Sequence, residues 1–231
     1  IMQIVGPVIV EPLTAEWETA RAGIAAAMEK KAQARSKPAA SRAEAEARAV
    51  KAAFMQRLAG FRVLDPACGS GNFLYLSLLA LKDIEHKANL DAEALGLPRE
   101  FPRTGPENVL GIELNPYAAE LARVSVWIGE IQWMRRNGFD AARDPILRPL
   151  ETIECRDAVL NADGTIAKWP QADVAIGNPP FLGGKKILHE LGPEYTSMLR
   201  KAYKNLLPGF SDLVCYWFFL ASEALRAGGI E

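Results

Sequence analysis

The chain has 231 residues, 49% of them hydrophobic, and a mean hydropathy of −0.01, a composition suited to a water-exposed globule long enough to bury one substantial core. Its longest apolar run, residues 213–220, falls far short of the roughly 18 residues a membrane span needs. A net charge of −1 and a pI near 6.3 exclude a uniformly basic nucleic-acid binder, so any cationic surface must be local or lie in another part of the protein.

Three widely spaced cysteines, Cys68, Cys155 and Cys215, exclude a fully paired disulfide frame and suggest no zinc site. They read as reduced thiols of a cytoplasmic protein.

Residues 4–13 alternate apolar and small side chains up to Pro12. Residues 14–35 and 40–59 then read as two Ala-rich helices separated at Ser36-Lys37-Pro38. Thr14 is a cap for the first, and Ser41 with Glu44 fits a capping box for the second. The charged stretch 29–48 is expected to be exposed and mobile. Residues 1–59 form an N-terminal helical segment on this reading, and residues 60–231 a second region with a different pattern.

From Phe61 the pattern alternates strand and helix, which predicts an α/β fold with a mostly parallel sheet. Strands are expected near 61–65, 108–113, 151–155 and 172–177, and helices near 72–87, 116–136 and 211–227. Residues 88–107, rich in Gly and Pro, read as an inserted lid-like loop, and residues 182–210 as another loop-rich segment. The final residues, Arg226-Ala227-Gly228-Gly229-Ile230-Glu231, look like a helix stop leading into another strand. A sheet cut there would expose an edge, so the segment is expected to be a fragment.

Three motifs carry chemistry. Asp173-Val174-Ala175-Ile176 reads as a buried strand and runs into Gly177-Asn178-Pro179-Pro180-Phe181. Proline fixes φ, lacks an N–H and pushes its predecessor toward extended geometry. The Asn178 amide and the neighbouring carbonyls should therefore project from the strand end and grip a flat ring bearing an amino group. A plain proline-ended loop is the alternative. The second motif, Val63-Leu64-Asp65-Pro66-Ala67-Cys68-Gly69-Ser70-Gly71-Asn72-Phe73-Leu74, is a strand, a Gly-x-Gly turn and a helix start, which lets backbone approach a nucleotide-like ligand. Leu74 occupies the place of a third glycine, which disfavours a nicotinamide dinucleotide fingerprint. No Gly-Lys-Ser/Thr is present to make a phosphate-binding P-loop. In the third, Asn108-Val109-Leu110-Gly111-Ile112-Glu113-Leu114-Asn115-Pro116, a strand ends in a carboxylate placed to accept from ribose hydroxyls.

Together these motifs make the chain resemble class I S-adenosylmethionine-dependent DNA methyltransferases of the amino-group type, the adenine-N6 branch in particular. The similarity is nearest to the methylase part of single-chain type IIG/IIL restriction–modification enzymes. It implies a Rossmann-like fold whose cofactor, S-adenosyl-L-methionine, is held by Asp65, Ala67, Gly69, Gly71, Phe73, Glu113, Leu114, Asp157, Ala158 and Asn178. Asp65 would bind the methionine ammonium, Glu113 the ribose hydroxyls, and Asp157 the adenine amino group. Phe73 and Leu114 alternatively fill core, and Asp157 alternatively forms a turn. Asn178, Pro179, Pro180 and Phe181 would be the catalytic motif. The resemblance further implies a target-recognition domain, and a nuclease domain, elsewhere in the protein. The Tyr-Thr-Ser motif that precedes such domains is absent, so the chain is expected to begin a few residues late.

The chemistry expected of this class is set by its substrate. An aromatic amino nitrogen is a poor nucleophile because its lone pair is delocalised. Two acceptors, the Asn178 side-chain oxygen and the Pro179 carbonyl, would grip its hydrogens, while Phe181 stacks on a base flipped out of the duplex. Cytosine-C5 methylation needs a cysteine nucleophile, and none lies near the clamp in sequence. His86 and His189 are isolated, no metal cluster is evident, and Tyr216-Trp217-Phe218-Phe219 reads as a buried helix behind the sheet, with a base-stacking platform as the alternative. Lys185, Lys186, Arg200, Lys201 and Lys204 are either a phosphate-contacting patch or a solvated face. Methylation of a protein glutamine or of RNA, and a cofactor-binding module without catalysis, remain the alternative functions.

Overall fold

The computed structural model describes residues 2–139 and 150–225. They fall into two compact units, one formed by residues 2–61, 76–108 and 129–139 and the other by residues 62–75, 109–128 and 150–225.

The first unit is helical. A short helix, α1 (Met2–Val5), and a π-helical stretch, Gly6–Val10, lead into α2 (Glu11–Gln33), which packs on α3 (Lys37–Gly60). Alanines at 27, 43 and 47 are buried and let the two helices approach closely, and Trp17 meets Phe54 at a ring distance of 5.0 Å. Neither predicted cap forms. Thr14 lies inside α2, which already runs from Glu11. For α3 the start is Ser36, in extended geometry with Pro38 in the first turn, where the missing N–H does no harm. Ser41 is therefore interior, and Glu44 pairs with Lys31 at 2.7 Å and Arg48 at 2.6 Å.

The inserted loop is shorter than expected. Helix α4 (Asn72–Ala94) runs seven residues beyond the predicted end at 87, and buried charged side chains pin the segment between it and β2. Glu85, 1% exposed, accepts the N–H groups of Arg103 (2.7 Å) and Thr104 (2.9 Å). Lys82, also 1% exposed, donates to the Thr104 carbonyl and to Glu130, both at 2.9 Å. Asn108 gathers the carbonyls of Leu58 (3.0 Å) and Phe61 (2.8 Å). Gly and Pro mark turns in this stretch, but buried side chains satisfy its backbone and give it one conformation.

The second unit holds the sheet. Strands β1 (Val63–Asp65), β2 (Val109–Glu113), β3 (Ile153–Cys155) and β4 (Val174–Ala175) are all parallel, in the order β3-β2-β1-β4. Their register pairs Val63 with both Val109 and Val174, and Gly111 with Ile153. Helix α5 (Pro116–Arg136) spans the predicted limits. Residues 182–210, expected to be loop-rich, form α6 (Gly184–Leu191) and α7 (Pro193–Ala202). Gly183 and Gly192-Pro193 stand at the helix ends, so these punctuating residues are caps and not breakers. Buried Ile187 and Leu199 tie both helices to a core that includes Val159, Trp169, Tyr203, Tyr216 and Leu220. Helix α8 (Leu213–Ala224) closes the described chain, and Leu225 makes a single parallel bridge to Ala172. The strand entry expected at 226–231 lies outside the described residues. This parallel sheet with its helices is a Rossmann-like architecture.

Candidate active site

Because β2 lies on one side of β1 and β4 on the other, the chain reverses direction of build across the sheet between β1 and β4. Open α/β sheets bind ligands at the carboxyl ends of the strands at such a switch point. A cavity of about 400 Å³ opens there. Asp65, Pro66 and Ala67 line it from the end of β1, and Ile176, Gly177, Asn178, Pro179 and Phe181 from the end of β4. Phe181 is 76% exposed. The remaining wall comes from Trp169 and from Val214, Trp217, Phe218 and Ala221 of α8.

The α8 wall corrects the expectation of a helix wholly behind the sheet. Val214, Trp217, Phe218 and Ala221 have i, i+3, i+4, i+7 spacing, so they share a face. Tyr216 and Leu220 belong to the core without lining the cavity, whereas Trp217 does both. The spacing is visible in the sequence; which face meets the cavity is not. Trp217 Nε1 is buried without a hydrogen-bond partner.

Asp65 is fully buried. Its Oδ1 accepts the Ala67 N–H at 3.1 Å, and its Oδ2 is buried with no partner. Gly177 approaches so closely that a Cβ there would collide with Asp65 Oδ1. Burial, with the nearby Glu113 charge adding to it, raises the Asp65 carboxyl to about 7.

The glycine turn beside it is built on left-handed backbone: φ is +53° at Gly69 and +84° at Gly71. At Gly71 a Cβ would also lie 2.9 Å from the Ala122 Cα, so helix α5 leaves no space for one. Glu113 ties the turn to the end of β2. Its Oε2 accepts the Gly69 N–H at 2.9 Å and its Oε1 the Asn115 N–H at 2.8 Å. Phe73 is half-buried, Leu114 is 68% exposed beside Glu113, and Pro180 is exposed.

Asp157 comes after β3 and performs the turn role. Oδ1 accepts the Val159 N–H at 2.7 Å, and Oδ2 accepts the Tyr195 hydroxyl at 2.8 Å. A carboxylate oxygen has a second lone pair, so Oδ2 can take a further donor. Burial and the Asp157 charge hold the Tyr195 phenol above its ordinary range, so it stays a donor. Ala158 is buried in the core, with its carbonyl accepting Trp169 Nε1 at 2.6 Å. The cavity thus gathers Asp65, Ala67, Asn178, Pro179 and Phe181; Gly69, Gly71 and Glu113 form an adjoining hydrogen-bonded corner, while Asp157 and Ala158 are engaged elsewhere.

Cys68 is buried, and burial together with Asp65 and Glu113 pushes its thiol up to about 12. His189 is exposed, within 3.4 Å of Glu190. His86 takes a bond from Arg99 at 3.2 Å, and burial lowers its pKa. Among the described residues no three His, Cys, Asp or Glu side chains cluster as a metal site, and no helix is long and apolar enough to cross a membrane.

A parallel sheet with an acidic, glycine-rich corner and a polar-aromatic strand end is the arrangement of a class I methyltransferase. The family model for the DNA-methyltransferase domain of MmeI matches residues 40–230. The chain therefore belongs to the MmeI DNA-methyltransferase domain family. It is 29% identical over 177 residues to DNA methyltransferase A of Bacillus subtilis (strain 168), covering 73% of this chain and 20% of that protein. It is 32% identical over 89 residues to the putative type II restriction enzyme and methyltransferase RM.MjaORFECS2P of Methanocaldococcus jannaschii, covering 38% of this chain and 8% of that protein. The structure of the type IIL restriction–modification enzyme MmeI in complex with DNA superposes with a TM-score of 0.61 at 21% identity, over 96% of this chain and 27% of the enzyme. The chain spans only a small part of these proteins' length.

Proposed function

We propose that this domain transfers a methyl group from S-adenosyl-L-methionine to the N6 amino group of an adenine flipped out of double-stranded DNA. It would do so as the modification part of a cytoplasmic restriction–modification or phage-defence enzyme, a site-specific adenine DNA-methyltransferase. The observation that carries this reading is that Asn178, Pro179 and Phe181 line one cavity with Asp65.

The residues present fit the cofactor. The unpartnered Asp65 oxygen is a buried acceptor suited to an ammonium, and the Gly69–Gly71 turn leaves backbone open to close approach. Glu113 has a free lone pair on each oxygen for ribose hydroxyls. When bound, the cofactor supplies a methyl group on an electron-poor sulfonium. The chain's own work is to position the nucleophile. The Asn178 side-chain oxygen and the Pro179 carbonyl accept the two amino hydrogens, which turns the nitrogen lone pair out of conjugation. Phe181, exposed at the mouth, offers its ring to the extruded base, a contact worth about 1–3 kcal/mol in comparable cases. The proton leaves readily once nitrogen is alkylated, so no strong base is required. None of the three cysteines lines the cavity, which supports amino methylation over the cysteine-dependent cytosine-C5 chemistry. Target recognition, and any nuclease, would come from other domains of the protein.

The test is tritiated methyl transfer to DNA by the full-length protein, with Asn178→Ala beside it. Label should appear in N6-methyladenine, and the variant should lose about 100-fold or more of the rate, on the scale of a lost transition-state contact. Label found in RNA or protein and not in DNA would replace this substrate assignment.

A further inference from the structure

Phe210 is the most exposed large hydrophobic side chain among the described residues, at 81%. It stands in a turn, and the turn is fastened to the segment leaving the Asn178–Phe181 motif. Leu213 N–H donates to the Leu182 carbonyl at 2.9 Å, and Gly184 N–H donates to Asp212 Oδ1 at 2.7 Å. A Cβ on Gly184 would collide with the Phe210 carbonyl oxygen. Only Leu182 and Gly183 separate Phe181 from Gly184, so the two Cα atoms are at most about 11 Å apart when extended. The Phe210 turn is thus held beside the mouth of the cavity.

The Arg200 guanidinium lies over the Phe210 ring at 5.2 Å from its centroid, which orients the ring and keeps a charge beside it. Lys186, Lys201 and Lys204 are exposed on the same segment. Residues 182–210 contain five Lys or Arg against two acidic residues, Glu190 and Glu194, in a chain whose net charge is −1. An exposed aromatic face with a guanidinium over it, on a segment whose net charge is positive, suits a polyanion with stackable bases better than an apolar protein surface.

We propose that Phe210 and Arg200 form a second DNA contact beside the catalytic cavity, Phe210 stacking on a base left exposed when the target adenine is extruded and Arg200 neutralising an adjacent phosphate. This inference rests on the DNA-directed function above. It makes Phe210 and Arg200 positioning residues for the DNA; neither touches the reacting atoms.

The experiment uses full-length protein and mixed-sequence duplex DNA with tritiated cofactor. Phe210→Ala should raise the KM for DNA about fivefold or more, the lower end of a lost stacking contact, and leave the cofactor's Kd unchanged. Phe210→Trp should restore the KM. Arg200→Ala should lower the slope of log affinity against log salt by about 1, whereas Phe210→Ala should leave that slope as it is. A DNA KM within twofold of wild type for Phe210→Ala would overturn the proposal. So would failure of Phe210→Trp to restore it, or an equal loss of cofactor affinity, which would mark the turn as structural only. Wild-type protein that labels RNA or protein and not DNA would sink the functional reading and this contact together. Wild-type methylation of DNA matched by Phe210→Ala would sink this contact alone.

Discussion

Asp65→Asn tests whether the buried carboxyl is held for a cation. Folded, the group titrates near 7; its ordinary value is 3.8. Below the ordinary value it is protonated whether the chain is folded or not. Between the two values the folded state holds a proton that the unfolded state has released, so stability falls as pH rises through this window and stays lost above about 7. Each pH unit inside the window is about 1.4 kcal/mol, so the ligand-free wild type should lose about 3 kcal/mol between pH 5 and pH 8 through this group alone. The Asn variant cannot ionise. Its amide leaves a buried N–H₂ near Gly177, which costs about 1–3 kcal/mol, but equally at both pH values. The assay is urea unfolding of both proteins, without cofactor, at the two pH values. The wild-type loss should exceed the variant's by about 3 kcal/mol. Parallel pH profiles would refute the reasoning. The same linkage predicts that cofactor binding below about pH 7 releases a proton, because an ammonium beside Asp65 favours its charged form; calorimetry in buffers of different ionisation enthalpy measures that release.

Two other substitutions probe the frame. Gly71→Ala puts a Cβ at φ +84° and 2.9 Å from the Ala122 Cα, so it should destabilise by about 2 kcal/mol or more and weaken cofactor binding; a loss under about 0.5 kcal/mol in thermal unfolding would contradict the close approach. Lys82→Met strands Glu130, whose second oxygen is already buried without a partner, and should cost about 3–5 kcal/mol in urea unfolding. Adding Glu130→Leu should recover much of that loss, and no recovery would argue against an uncompensated charge as its cause.

Much of the sheet is legible in the sequence because local chemistry announces it. Apolar runs at 63–65 and 109–113 are short, end in carboxylates and precede helix-forming stretches. Helix α5 matches its predicted limits because Pro116 opens it. The stretches where structure and expectation differ share one cause. In 88–107 and 182–210, glycine and proline read locally as breakers, yet Glu85 and Lys82 pin the first, and buried Ile187 and Leu199 make the second helical. In both, distant side chains decide the backbone, and no window of neighbouring residues contains them. The capping box fails similarly: Ser41-x-x-Glu44 is a valid start signal, but Ser36 and Pro38 offer an earlier one, and Glu44 finds Lys31 on the neighbouring helix.

By itself the sequence determined the strand–helix alternation, the glycine turn and the residue types at the ends of β1, β2 and β4. These arise from backbone preferences and hydrophobic period, which act over a few residues. Only the tertiary structure decided the strand order that makes β1 and β4 neighbours and closes a cavity between Asp65 and Asn178. It also decided that Trp217 and Phe218 wall that cavity, that Asp157 is already bonded to Tyr195, and that Phe210 stands beside the clamp under Arg200. Those outcomes depend on which faces of helices and sheet are buried against one another, and burial is a property of the packed chain.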